Sequence, residues 1–208
     1  MIDIVGSAAC QGTRVVCDPW IPLDIEWLPT PRDQPLYVRI SGRRGGEIEL
    51  KADSRTGALV QAVVLVSPPV FGAGGAGEPT TMDEGLSPLL AKSLWRSGSE
   101  VDRDPQAGET VWLSADLRFH IDEHFACLRL ADTAATSHLR SGTVVVGVSA
   151  AGYLVDICSY GPRAYESYAE LPDQRSVEQR GDGTGIAPGR ALANRMRALL
   201  HHRRGEKR

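Results

Sequence analysis

The segment 48–66, IELKADSRTGALVQAVVLV, constrains this chain more than any other, because its plan occurs twice. Ile48, Leu50 and Ala52 alternate with Glu49, Lys51 and Asp53 until Ser54-Arg55-Thr56-Gly57 breaks the pattern, which reads as strand, Gly-containing turn, strand. Residues 144–159, VVVGVSAAGYLVDICS, repeat the plan, and Gly57-Ala58-Leu59-Val60 falls on Gly152-Tyr153-Leu154-Val155. Upstream, residues 20–27 (WIPLDIEW) fall without a gap on 112–119 (WLSADLRF). The expectation is an α+β chain with β dominant. Two internally repeated four-stranded antiparallel meanders would pack as a sandwich or partly open barrel, with peripheral helices covering the outside.

On that basis the chain divides into a first β-module (1–71), a Gly-rich linker and helix (72–108), a second β-module (109–171), and a flexible linker with a basic C-terminal helix (172–208). With 208 residues, of which 42% are hydrophobic, it can bury a core without metal or disulfide support. Four widely spaced cysteines, Cys10, Cys17, Cys127 and Cys158, form no Cys-x-x-Cys pair and read as reduced, mostly buried thiols. No basic leader with an apolar core opens the sequence, and no apolar run is long enough for a membrane helix, so the expected location is cytoplasmic. Arginine in excess over lysine, with abundant Ala and Gly, reads as a high-GC bacterial composition.

The net charge of −3 conceals an asymmetry. Residues 190–208 hold seven bases and one acid; removing these from the totals of 23 and 26 leaves 16 bases and 25 acids in the body. The expectation is that the terminal helix, 188–203, docks on that body through Leu192, Met196, Leu199 and Leu200, and is the one element suited to nucleic acid. Elsewhere, Ser87 as N-cap with Pro88 at the first helical position predicts a helix carrying Leu89, Leu90, Leu94 and Trp95. A further short helix is expected over 163–171. Residues 111–121 read as one strand by unbroken alternation.

The chemistry is sparse. Gly72-Ala73-Gly74-Gly75-Ala76-Gly77 has the spacing of a phosphate-cradling loop, but two prolines separate it from the preceding strand and no helix opens after it, so it reads as linker. His120-Ile121-Asp122-Glu123-His124 matches the His-x-x-Glu-His spacing of inverted zinc peptidases, which requires a helical turn to bring both histidines to one metal. The alternation favours a strand there, and His120, Glu123 and His124 stand as metal ligands only in an alternative reading as a metal-dependent hydrolase. Binding candidates are Trp20, Asp24, Trp112 and Asp116, which coincide between the repeats, and Arg43 and Arg44 at a Gly-rich loop tip. The plainer expectation for the two tryptophans is that each fills its module's core. With no nucleophile elbow and no zinc-finger spacing, the first reading is a non-catalytic cytosolic protein-binding module, such as an immunity-type inhibitor, an adaptor or an assembly subunit. It takes no cofactor and has another protein as partner.

Overall fold

Alternation of apolar and polar residues over short runs dictates strands, and strands make up nearly all of the regular structure. The computed structural model describes residues 1–161 except 18–19, 30–32, 71–82, 98–100, 105–107 and 122–124; for 97, 101–104, 108, 121 and 125 it describes the backbone alone. The described strands all belong to one compact unit, Met1–Leu171. The Gly-rich string, the helices expected over 163–171 and 188–203, and the linker between them lie outside the described residues. No helix among the described residues is long and apolar enough to cross a membrane.

In the first half the strands are β1 (Ile4–Ala9), β2 (Gly12–Val16), β3 (Leu23–Leu28), β4 (Leu36–Gly42), β5 (Glu47–Ala52) and β6 (Leu59–Val66). After them come β7 (Asp83–Glu84), β8 (Leu86–Leu90), helix α1 (Leu94–Ser97), β9 (Val101–Asp104) and β10 (Gly108–Ala115). The chain closes with β11 (Arg118–Ile121), β12 (Phe125–Arg129), β13 (Ser137–Ser141), β14 (Val144–Val148) and β15 (Leu154–Tyr160). A seven-stranded sheet has the order β2-β3-β6-β5-β4-β10-β9, and a six-stranded sheet the order β11-β12-β15-β14-β13-β7. Both are mixed, because β10 runs parallel to β4 and β7 parallel to β13. Neither is a closed barrel, and neither is a four-stranded meander, since β3 and β12 pair with β6 and β15 rather than with the next strand in sequence.

The inward faces of the two sheets form one core. Ile25, Ala62, Leu50, Val38 and Val111 form a row across the first sheet, and Phe119, Leu128, Ile157 and Val146 a row across the second. Side chains on successive residues point to opposite faces, so this inward set determines which polar residues face out.

The two hairpins share their local geometry. In each, the strand after the turn carries one extra residue: Val60 between Leu59 and Gln61, and Val155 between Leu154 and Asp156. Gly57 and Gly152 in the turns have φ of 82° and 79°. Each glycine carbonyl accepts a backbone N–H from a separate two-stranded ribbon: Leu90 of β8 donates to Gly57 at 2.8 Å, and Ile4 of β1 donates to Gly152 at 2.7 Å. Ile4 and Leu90 are themselves partners in the antiparallel β1–β8 pair, so one ribbon holds the tips of both hairpins.

Several expectations need correction. The segments 20–27 and 112–119, which match in sequence, differ in structure: Leu23–Leu28 is the single strand β3, whereas Trp112 lies in β10 of one sheet and Phe119 in β11 of the other. The single strand expected over 111–121 is two, and the chain passes from one sheet to the other at Asp116 and Leu117. The helix expected from Ser87 is the strand β8, with only Leu94–Ser97 helical. The Ser87 hydroxyl, buried, donates to the Leu59 carbonyl at 2.6 Å instead of capping a helix, and Pro88 is accommodated in a two-stranded ribbon opposite Ser7. Tertiary pairing with β1 and the β6 hairpin overrides the local helix signal.

Candidate functional site

The outer face of the seven-stranded sheet carries a line of polar side chains that the register places side by side. Asp24, Val63, Glu49, Arg39 and Trp112 lie in one cross-strand row, and Glu26, Gln61, Lys51 and Tyr37 in the next. Neighbours in such rows are close enough for direct contact. Arg39 lies 5.8 Å from the Trp112 ring centroid and pairs with Glu49 at 2.6 Å and Glu47 at 3.0 Å. Lys51 reaches Glu49 at 3.6 Å and donates to Gln61 at 2.7 Å; Gln61 in turn donates to Asp24 at 2.7 Å. Trp112 and Asp24, two of the sequence candidates, are therefore the ends of one continuous chain of contacts across β10, β4, β5, β6 and β3. Glu49 is only 7% exposed, and it is tolerated as a buried charge because Arg39 and Lys51 both contact it.

Asp116 and Arg43 also meet, at 3.0 Å, where β4 and β10 end, and the Arg43 N–H donates to the Ala115 carbonyl. Arg44 is exposed in the turn after β4. Trp20 is 82% exposed and Trp112 43%, so neither fills a core; that role belongs to Trp27 and Trp95, each 2% exposed. The reason is register: Trp112 follows the inward Val111 and must face out, while Trp20 precedes the first residue of β3.

Burial raises the Asp24 pKa above the ordinary carboxylate value, with the Gln61 hydrogen bond opposing, Glu26 adding repulsion, and Lys51 and Arg14 opposing. A carboxyl with a raised folded-state pKa binds more protons folded than unfolded. Its contribution therefore becomes unfavourable as pH rises from its unfolded pKa, about 3.9, through the folded one, and stays so above that window. Asp24→Asn keeps an oxygen for Gln61 and removes this effect. We expect the variant to lose less stability than the wild type between about pH 4 and neutrality, read from urea midpoints along a pH series; a steeper loss in the variant would refute the assignment.

The outer face of the second sheet is different in kind. Its register sets His120, Cys127, Cys158, Val145 and Arg140 in one row, and Arg118, Arg129, Asp156, Gly147 and His138 in the next. Cys127 and Cys158 are direct cross-strand partners with Cα atoms 4.0 Å apart and form a disulfide, which corrects the expectation of four reduced thiols; Cys10 and Cys17 keep their thiols, and Cys10 Sγ lies 2.9 Å from Ser141 Oγ. Their separation of 31 residues conceals the pairing, which only strand order reveals. Burial also raises the Asp156 pKa, opposed by Arg129, His138 and a backbone hydrogen bond from Gly147. His120 sits in the strand β11, not on a helix; Glu123 and His124 lie outside the described residues.

Sequence reasoning missed Arg39, Glu49, Lys51 and Gln61. The signal was present: a hairpin whose loop is 42–46 pairs Arg39 with Glu49 and Tyr37 with Lys51 by counting outward from Arg44. It also missed the cysteine pair with Asp156, for which no local pattern exists. Compared with known proteins, the chain matches no family model and no curated protein sequence.

Proposed function

We propose that the chain is a non-catalytic protein-binding module that engages its partner through the outer face of the seven-stranded sheet, with Trp112 as the central contact and Arg43, Arg44 and Trp20 as further candidates. The observation that carries this reading is the state of the charges along the sheet on which Trp112 lies. Arg39 is paired with Glu47 and Glu49, Arg43 with Asp116, Lys51 with Glu49, and Arg14 with Glu26. A face with its cations already matched by carboxylates is poorly suited to a polyanion such as nucleic acid, whose affinity comes from cations that neutralise phosphates. It suits an electrically balanced protein surface, on which an aromatic ring beside an arginine supplies the energetic centre.

The same proposal takes the chain as two diverged copies of one unit. The orders β2-β3-β6-β5-β4 and β11-β12-β15-β14-β13, the matching extra residues Val60 and Val155, and the paired glycine turns support it. Under this reading one copy keeps an ion-paired outer face for binding, while the other has diverged to cysteines and histidines.

The test compares wild type with Trp112→Ala as immobilised bait in native lysate, followed by titration of any stoichiometric protein retained. A loss of affinity of about 30-fold or more in the variant, with unchanged thermal unfolding, is the expected result. Equal retention by both baits would rule out this face, and turnover of a substrate without any retained protein would rule out the class of function.

A further inference from the structure

We propose that Cys127, Cys158 and Asp156 form a zinc site in the reduced protein, and that the Cys127–Cys158 disulfide is the oxidised, metal-free state of the same three residues. One ligand atom from each lies within 4.8 Å of the others. Two thiolates on tetrahedral zinc, with Zn–S near 2.3 Å, stand about 3.8 Å apart. Directly paired residues of neighbouring strands can present sulfurs at either separation by side-chain rotation alone, so bond and metal are alternatives on an unchanged backbone. A donor set of two sulfurs and one carboxylate selects zinc over calcium or magnesium, which take oxygen ligands.

The carboxylate is placed for this. Asp156 is two residues before Cys158 on the same face, and the space its oxygen occupies is left open by Gly147, where an added Cβ would run into Asp156 Oδ1 and stand 2.8 Å from Ala135 Cβ. Arg129, the cross-strand neighbour of Asp156, directs its guanidinium to the carbonyls of Ala131 at 3.0 Å and Thr133 at 3.1 Å. The fold does not itself require sulfur here. At the matching positions of the other sheet, the register places Asp24 for Cys127, Val63 for Cys158 and Lys51 for Gly147. A water completes four-coordination.

Interconversion balances with a dithiol reductant. The reductant gives two hydrogens and becomes a disulfide, the Cys127–Cys158 bond breaks to two thiols, and zinc then displaces both thiol protons to solvent.

The experiment uses the full chain in wild-type and C10S/C17S forms, so that the remaining thiols are the pair in question. Each is reduced with a phosphine, desalted without oxygen, and titrated with Co²⁺ and then Zn²⁺. The expected result is a thiolate-to-cobalt charge-transfer band that saturates near about one equivalent, is bleached by zinc, and is absent from the oxidised protein. Cys127→Ser or Cys158→Ser should abolish the band, and Asp156→Asn should weaken zinc binding by about 10-fold or more. The absence of a band in reduced wild type, the same band in Cys127→Ser, or equal metal uptake by oxidised and reduced protein would each overturn the proposal. Because the oxidised and reduced wild type are compared directly, the test stands even if a serine variant fails to fold.

Discussion

Gly57→Val is expected to destabilise the protein by about 3 kcal/mol or more, and Gly152→Val by about half as much. Both glycines adopt a left-handed φ, near 80°, which a β-branched residue enters only at a penalty of about 1 to 3 kcal/mol. The surroundings then separate them. A Cβ on Gly57 would stand 2.6 Å from the Leu90 carbonyl oxygen, backbone that cannot retreat without breaking the β8 contact to the hairpin. A Cβ on Gly152 meets the Ile4 carbonyl oxygen at 3.5 Å, an ordinary contact. Urea midpoints of both variants measure the difference; equal losses would show that the backbone angle alone matters and that the ribbon yields readily.

The other large effect is at Trp95. Its ring is buried on a helix of four residues, and its indole N–H donates to the Tyr37 carbonyl at 2.9 Å, so one side chain anchors α1 to the seven-stranded sheet. Trp95→Ala should lower stability by about 3 to 5 kcal/mol through the cavity it leaves. Phenylalanine substitutions separate ring from hydrogen bond. Trp95→Phe removes a donor from a made bond and should lose about 1 to 3 kcal/mol, whereas Trp27 is equally buried with no acceptor for its Nε1 among the described residues, and Trp27→Phe should lose less. If Trp27→Phe proves the more damaging, shape and not hydrogen bonding decides both sites. Chemical denaturation of the four proteins, wild type included, settles the order.

What could be read from the sequence was what depends on neighbours along the chain. Alternation located most of the strands, and Gly57 and Gly152 marked both turns because left-handed backbone favours glycine. Ala126 and Leu128 fell on the inward face as expected. Strand order was not legible, because β3 joins β6 across an intervening hairpin and nothing in either strand encodes the choice. Without that order Trp112 seemed a core residue, and Cys127 and Cys158 seemed independent thiols. The helix expected at Ser87 failed for the same reason: its capping signal was real, but its competitor, pairing with β1, lies some 80 residues away in sequence.

The ribbon that joins the two hairpin tips is symmetric in space but not in time. As the chain emerges from synthesis, β8 can close on the Gly57 turn once Leu90 has appeared, since both lie in the first half. Strand β1 precedes the other described strands, yet its contact at Gly152 does not exist until nearly the whole described chain has been made. Through that interval the Ile2 carbonyl, which accepts from Leu154, and the Ile4 N–H, which donates to Gly152, lack their native partners, the condition in which an emerging chain is most open to wrong pairing. The contact of β1 at Gly152 thus closes one of the longest loops among the described residues, a slow step by the entropy of joining distant segments.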